Sequence, residues 1–401
     1  MASSDSAPER GPWALPADWP APPPEAVALS ERLVAMMRAE MERAGGAIGF
    51  ARFMELALYA PGLGYYSAGL RKFGQAGDFV TAPELSALFA RCVARTCAPV
   101  LTGGGDLLEL GAGSGIMAAD LLTELERLGA LPGRYWILER SADLRERQRE
   151  TLSRRAPDLA ARVDWLDTLP AAGFQGVMVG NEVLDALPVE RFRWRAAGAE
   201  ELAVGWAEPG FGWQPRPAGR ELVVAAAALA AETGLSEGYV SEVNLQLGSW
   251  LGSLAERLGR GLILMIDYGY PRREYYHPER AGGTLMCHYR QRAHGDPLML
   301  PGLQDITAHV DFTAVAEAAV AAGLDVLGFA TQAHYLMDAG LDTLLGERSP
   351  EDGAAYLDLA RQAKTLTLPG EMGERFKAIA LGRGLDDTPV GFRLQDLRNR
   401  L

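Results

Sequence analysis

Asp106-Leu107-Leu108-Glu109-Leu110-Gly111-Ala112-Gly113-Ser114-Gly115-Ile116 is the stretch on which the fold turns. It opens as a short apolar strand, passes through three alternate glycines, and runs into an apolar helix from Ile116 to Leu128. Glycine allows a tight turn and a ligand's close approach. The helix start adds unpaired N–H groups and the positive end of its dipole. Strand, glycine turn and helix together predict a nucleotide-binding unit. A dinucleotide site wants Gly-x-Gly-x-x-Gly, and here the third position is Ile116. The loop also lacks the Lys-Ser/Thr pair of a P-loop.

Outward from this loop the texture is regular. Tyr135 to Glu139 reads as a strand, followed by an Arg/Glu-rich helix over 141–155. Strands are also expected at Val163–Trp165, 176–181, Leu262–Asp267, 325–331 and 376–381, and helices at 245–258, 312–322 and 350–365. Strand-helix alternation argues a parallel sheet covered on both faces. Residues 189–215 read as an antiparallel hairpin insertion. The long segments 62–83 and 268–310 read as candidate lid or site loops. Glu139, at the end of the second strand, is placed to accept both hydroxyls of a ribose; the alternative is a surface Glu opening the next helix. Trp165 is a candidate to stack on adenine or, equally, a core residue.

Asn181-Glu182-Val183-Leu184-Asp185-Ala186-Leu187-Pro188 falls at the carboxyl end of a strand, where such sheets bind ligands. Enzymes that methylate amino groups of nucleic acids often carry Asn/Asp-Pro-Pro-Tyr/Phe at this place, which this chain lacks. Two carboxylates three residues apart suit a planar guanidinium fork, and a buried one can take a proton. The plain alternative is that Asn181 and Asp185 cap a following helix.

The chain has 401 residues, 48% of them hydrophobic and 23% charged, which excludes a disordered, collagen-like or coiled-coil protein. No apolar run reaches the ~18 residues of a membrane span, so no membrane partner is expected. Thirty-nine basic against 52 acidic residues give a net charge of −13, which disfavours nucleic acid and favours basic partners. Cys92, Cys97 and Cys287 form no zinc pattern, no metal is expected, and the sparse count reads as reduced cytosolic thiols. The Pro-rich arm over 1–28 is expected to be extended or disordered, with order starting at Ser30. It holds Asp5, Glu9 and Asp18 against Arg10, unlike an import presequence, so a cytoplasmic, bacterial protein is expected.

Seven ordered motifs carry a resemblance. They are Gly77-Asp78-Phe79-Val80-Thr81-Ala82-Pro83-Glu84-Leu85-Ser86, the Leu108–Gly115 loop, Asn181-Glu182 with Asp185–Pro188, Asp267-Tyr268-Gly269, Gly283-Thr284-Leu285, Asp305–Phe312 and Met372–Lys377. Glu109-x-Gly111-x-Gly113-x-Gly115 matches the loop of S-adenosylmethionine-dependent methyltransferases that faces the cofactor's amino-acid part. The series, over roughly residues 30–382, resembles the MidA family of class I methyltransferases. Its mitochondrial members are protein arginine methyltransferases that assist respiratory complex I assembly.

The resemblance implies a Rossmann-like α/β fold with a seven-stranded, mostly parallel sheet. An N-terminal helical or lid region is expected over 29–100, and the methyltransferase domain over 101–385 with insertions at 189–245 and 268–311. A tail over 386–401 completes the chain. S-adenosylmethionine is the implied cofactor, with Glu109, Gly111, Gly113, Gly115, Glu139, Trp165, Asn181 and Thr81 as binding residues and Glu84 beside Thr81 on the site wall. Glu182 and Asp185 are the candidate guanidinium holders. His309 is a candidate acid/base or positioning residue, with Asp311 beside it. The expected activity is methyl transfer to protein arginine. Rival readings are a methyltransferase on a small molecule or another protein atom, a non-catalytic assembly factor, and a dinucleotide-dependent dehydrogenase. Val183-Leu184 and Met286 stand where the family often has two aromatics and an Arg.

Overall fold

A computed structural model describes residues 11, 13, 15, 16, 18–68 and 80–401. Gly77 to Phe79, part of the first family motif, and the first ten residues of the arm lie outside the described residues. The chain divides into two units that alternate along the sequence. One comprises residues 1–79, 186–246 and 273–309, and the other 80–185, 247–272 and 310–401.

The second unit holds the main sheet. Its strands are β1 (Asp106–Leu110), β2 (Tyr135–Leu138), β3 (Val163–Leu166), β4 (Phe174–Asn181), β5 (Leu258–Tyr270), β6 (Asp325–Thr331) and β7 (Phe376–Arg383). Their spatial order is β6-β7-β5-β4-β1-β2-β3. β1 to β5 pair in parallel, and β7 runs antiparallel between β5 and β6. A two-residue strand, Val310–Asp311, joins the end of β5 in parallel. Helices cover both faces of such a sheet, so its central strands are buried almost continuously instead of alternating. Leu107, Val177, Leu262, Leu264 and Ala380 are fully buried and pack with Leu121, Leu122 and Phe89 in one core. Side chains set the helix starts: Ser86, Ser141, Thr331 and Asp311 each accept from a backbone N–H of the helix they precede.

Residues 386–401 are folded back as part of this unit. Phe392 is 1% exposed against Tyr335, the Leu397 N–H donates to the Phe329 carbonyl of β6, and the Asp338 carboxylate accepts from the Gly391 and Arg393 N–H groups.

The first unit contains helices Pro24–Arg43 and Phe50–Tyr59 and a five-stranded antiparallel sheet. That sheet joins Ala47–Ile48, Glu190–Arg195, Gly198–Ala207, Gly210–Pro217 and Val240–Val243. The expected hairpin at 189–215 is therefore part of a larger meander, and helix Arg220–Thr233 follows it. A smaller sheet joins Met286–Tyr289, Arg292–His294 and Asp305–Thr307. Two sequence-based expectations change here. The first helix begins at Pro24, six residues before Ser30, because proline is tolerated in a helix's first turn. The described part of the arm is pinned. Trp19 stacks on Tyr289, Asp18 pairs with Arg292, and the Trp13 indole donates to Ser30.

Candidate active site

The glycine loop joins β1 to the helix Ile116–Arg127, and Gly111, Gly113 and Gly115 have φ of 65°, 52° and 81°. All three lie in the left-handed region that L side chains rarely adopt. Gly115 is doubly constrained, because a Cβ there would stand 3.0 Å from Gln148 Cα. Ser114 donates to the Glu84 carboxylate, which ties the short helix Ala82–Leu85 to the loop. Thr81, the residue before that helix, is half-buried, and its side chain makes no capping hydrogen bond.

Glu109 is fully buried two residues before Gly111. Its Oε2 accepts from the Tyr135 hydroxyl at 2.6 Å, and its Oε1 has no hydrogen-bond partner among the described residues. Burial pushes its carboxyl up to about 7, against the Tyr135 hydrogen bond. Asn181 Oδ1, at the end of β4, is buried and equally unsatisfied. Buried acceptors normally have partners, so these two suit a bound molecule that brings N–H or O–H donors.

Glu139 stands just beyond β2. Its Oε1 accepts from the Ser141 N–H at 2.8 Å, and Oε2 from Gln148 Nε2 at 3.4 Å. Burial raises its pKa, and those hydrogen bonds oppose the rise. Trp165 lies in β3 with its indole N–H given to Gln148 Oε1 at 2.7 Å and the Arg149 guanidinium 4.7 Å from its ring centre. One ring face is therefore taken.

Glu182 follows β4 with φ 53°, a conformation that costs a non-glycine residue about 1–3 kcal/mol. Its N–H donates to the Ile266 carbonyl, and its Oε1 accepts from Asn181 Nδ2 at 2.9 Å. No helix follows; residues 182–189 form turns leading to strand Glu190–Arg195. Asn181 and Asp185 are thus not helix caps. Instead Asp267, near the end of β5, folds the segment around itself. Its Oδ2 accepts from the N–H groups of Val183, Leu184 and Asp185 at 3.0, 2.8 and 3.3 Å, and its Oδ1 from the Tyr268 N–H. Burial raises the Asp267 pKa well above its ordinary value, and the charges of Asp185 and Glu182 add to the rise. Three carboxylates therefore share the carboxyl ends of β4 and β5, with Asp185 buried and Glu182 half-buried.

His309 belongs to the first unit, where its Nδ1 lies 3.1 Å from the Thr284 carbonyl and its N–H donates to the Thr284 hydroxyl. Asp311 caps helix Phe312–Ala321 and pairs with Arg272 at 3.1 Å, a structural assignment for the acid suggested beside His309. Among the described residues no His/Cys/Asp/Glu group is arranged to hold a metal, and no helix is long and apolar enough to cross a membrane.

Two organising residues escaped the sequence reading. Asp267 was visible only as part of a motif, although an acid closing the most apolar strand is itself a signal. Gln148 was hidden in the run Arg145-Glu146-Arg147-Gln148-Arg149-Glu150, where nothing marks it as buried.

A family model for S-adenosyl-L-methionine-dependent methyltransferases matches residues 88–330. A solved structure from Burkholderia thailandensis, bound to S-adenosyl-homocysteine, is 48% identical and superposes with a TM-score of 0.92, covering 95% of this chain and all of that one. The mitochondrial protein arginine methyltransferase NDUFAF7 homolog of Caenorhabditis elegans is 28% identical over 372 residues, 84% of each chain. The Homo sapiens protein arginine methyltransferase NDUFAF7 is 27% identical over 376 residues, 84% of this chain and 80% of that one. With its mostly parallel sheet and glycine loop, the chain belongs to the MidA-type family of S-adenosyl-L-methionine-dependent methyltransferases.

Proposed function

We propose that this methyltransferase modifies arginine side chains of a protein, with Glu182 and Asp185 holding the guanidinium. The observation that carries the reading is the cluster of Glu182, Asp185 and Asp267 at the ends of β4 and β5. The net charge of −13 favours approach of a basic segment at low salt, and the relatives named above are called protein arginine methyltransferases.

S-adenosylmethionine supplies an electrophilic methyl group on a sulfonium. Gly111, Gly113 and Gly115 give its amino-acid part close backbone approach, Asn181 and Glu109 offer acceptors, Glu139 takes the ribose hydroxyls, and Trp165 borders the adenine. Thr81 and Glu84 wall the loop. Glu182 and Asp185 orient the guanidinium so that one nitrogen lone pair faces the methyl carbon. The N–C bond forms as the C–S bond breaks, and its electron pair leaves with sulfur. A carboxylate of the pair then takes the proton that the methylated nitrogen sheds. Asp267 meets no substrate in this scheme; it holds the 183–185 backbone so that both carboxylates keep their aim. Alignment in a water-poor pocket does most of the catalytic work.

The test assays Glu182→Gln and Asp185→Asn separately, with labelled methyl donor and with arginine and lysine peptides in parallel. Transfer to arginine is expected to fall by about 100-fold or more, the loss expected for a misplaced charge-assisted pair, while S-adenosylhomocysteine affinity stays within about twofold. Full arginine transfer in both variants, or equal transfer to lysine by the unaltered protein, overturns the reading.

A further inference from the structure

Gln148 is a fully buried side chain in the helix Ala142–Arg155, eight of whose fourteen residues are charged. Its one amide reaches three separate segments. Nε2 donates to the Gly113 carbonyl at 3.0 Å and to Glu139 Oε2 at 3.4 Å, while Oε1 accepts from the Trp165 indole at 2.7 Å. The partners settle which end of the amide is which. A carbonyl and a carboxylate only accept, and an indole N–H only donates, so the amide has one satisfying orientation. On the same helix face, Arg145 Nε donates to the Glu139 carbonyl at 2.7 Å, and Arg149 covers one side of Trp165. Positions 145, 148 and 149 are the i, i+3 and i+4 neighbours of one helical face. That face therefore bears on the glycine loop, the end of β2 and β3 at once.

We propose that Gln148 is the positioning residue of the adenosine site: it holds the Gly113 carbonyl, the Glu139 carboxylate and Trp165 in register and thereby sets recognition of the ribose hydroxyls. The proposal rests on Glu139 being the ribose acceptor. A carboxylate left to itself rotates among several rotamers. One fixed through Oε1 by the Ser141 N–H and through Oε2 by Gln148 presents a defined set of remaining lone pairs. Two adjacent hydroxyls at a fixed spacing are what such a preset carboxylate distinguishes. The bond to Gly113 links that aim to the loop, so the amino-acid and ribose ends are placed by one amide.

The experiment is calorimetric titration of the full chain with S-adenosylhomocysteine and with its 2′-deoxy counterpart. The proteins are the unaltered chain, Gln148→Leu, Gln148→Met and Glu139→Ala. Gln148→Met keeps the length of the side chain without its donor and adds no charge, so it decides the matter if Gln148→Leu fails to fold. Loss of the donor is expected to weaken S-adenosylhomocysteine binding about tenfold and the 2′-deoxy ligand about twofold, so discrimination falls towards that of Glu139→Ala. Equal weakening of both ligands marks a merely structural role and overturns the proposal. So does unchanged affinity. If Glu139→Ala keeps the full discrimination, the ribose assignment of Glu139 fails first and the proposal falls with it. Preserved Glu139 dependence with unaffected Gln148 variants sinks the Gln148 role alone.

Discussion

Glu109→Gln is expected to remove a pH-dependent loss of stability. Glu109 is 1% exposed, its carboxyl is pushed up to about 7 by burial, and its ordinary value is 4.5. The folded-state pKa lies above the unfolded one, so the folded protein holds this proton more tightly. The stability that results is fully present below about pH 4.5 and is lost as the pH rises through about 7. The gap between the two values corresponds to about 3 kcal/mol, at roughly 1.4 kcal/mol for each tenfold change in proton affinity. Glutamine keeps an oxygen to accept from the Tyr135 hydroxyl and never carries the charge. Urea unfolding between pH 4.5 and 8, followed by far-ultraviolet circular dichroism, measures the effect. The stability of Glu109→Gln relative to the unaltered chain should rise by about 3 kcal/mol across that range. Parallel profiles for the two proteins would show that Glu109 titrates normally and that its burial carries no penalty.

Three further outcomes follow from other contacts. Glu139→Ala should weaken S-adenosylhomocysteine binding by about ten- to a hundredfold in calorimetry, since two hydrogen bonds to a charged acceptor disappear; an unchanged affinity assigns Glu139 to the helix start alone. Gly115→Ala meets both φ 81° and Gln148 Cα at 3.0 Å, so ligand affinity should drop by more than about tenfold while the melting curve stays cooperative. Phe392→Ala should cost about 3–5 kcal/mol in urea unfolding, because the ring is 1% exposed and packed on Tyr335; a loss below about 1 kcal/mol would mean that the tail contributes little to the fold.

The main sheet was legible because its strands differ in texture from what surrounds them. β6 was expected at 325–331 and is Asp325–Thr331. β5 runs well beyond the expected 262–267, since Arg260 and Tyr268 carry polar groups that a reading of apolar runs stops at. The glycine loop announced itself by composition. The turn after β4 did not, because its organiser is Asp267, some eighty residues away in sequence, acting through backbone N–H groups of Val183, Leu184 and Asp185. A spacing argument sees Asn181 and Asp185 as caps; only the partner strand shows that no helix begins there. The alanines of Arg220–Thr233 favour a helix, but only Leu222, Ala226 and Leu229 are buried there, so its apolar stripe is narrow and weakly periodic. The prolines of the arm point to extended chain, while Trp19 and Asp18 find partners near residues 289–294 that no local signal ties to them.

The position of β7 has a consequence for synthesis. It is the last strand in chain order, yet it lies inside the sheet, paired along its whole length with β5 on one side and over Lys377 to Gly382 with β6 on the other. Until residue 383 has left the ribosome, both β5 and β6 have an apolar edge with open N–H and C=O groups. At a translation rate of roughly 5–20 residues per second, the interval between β5 and β7 lasts several seconds or more. A nascent chain in that interval is a template for strand addition by another copy, and it suits a chaperone that covers extended apolar segments. A chain that terminates before Phe376 is expected to be insoluble, whatever the quality of its first 375 residues, whereas one that ends just beyond Arg383 closes the sheet and lacks only its C-terminal cover.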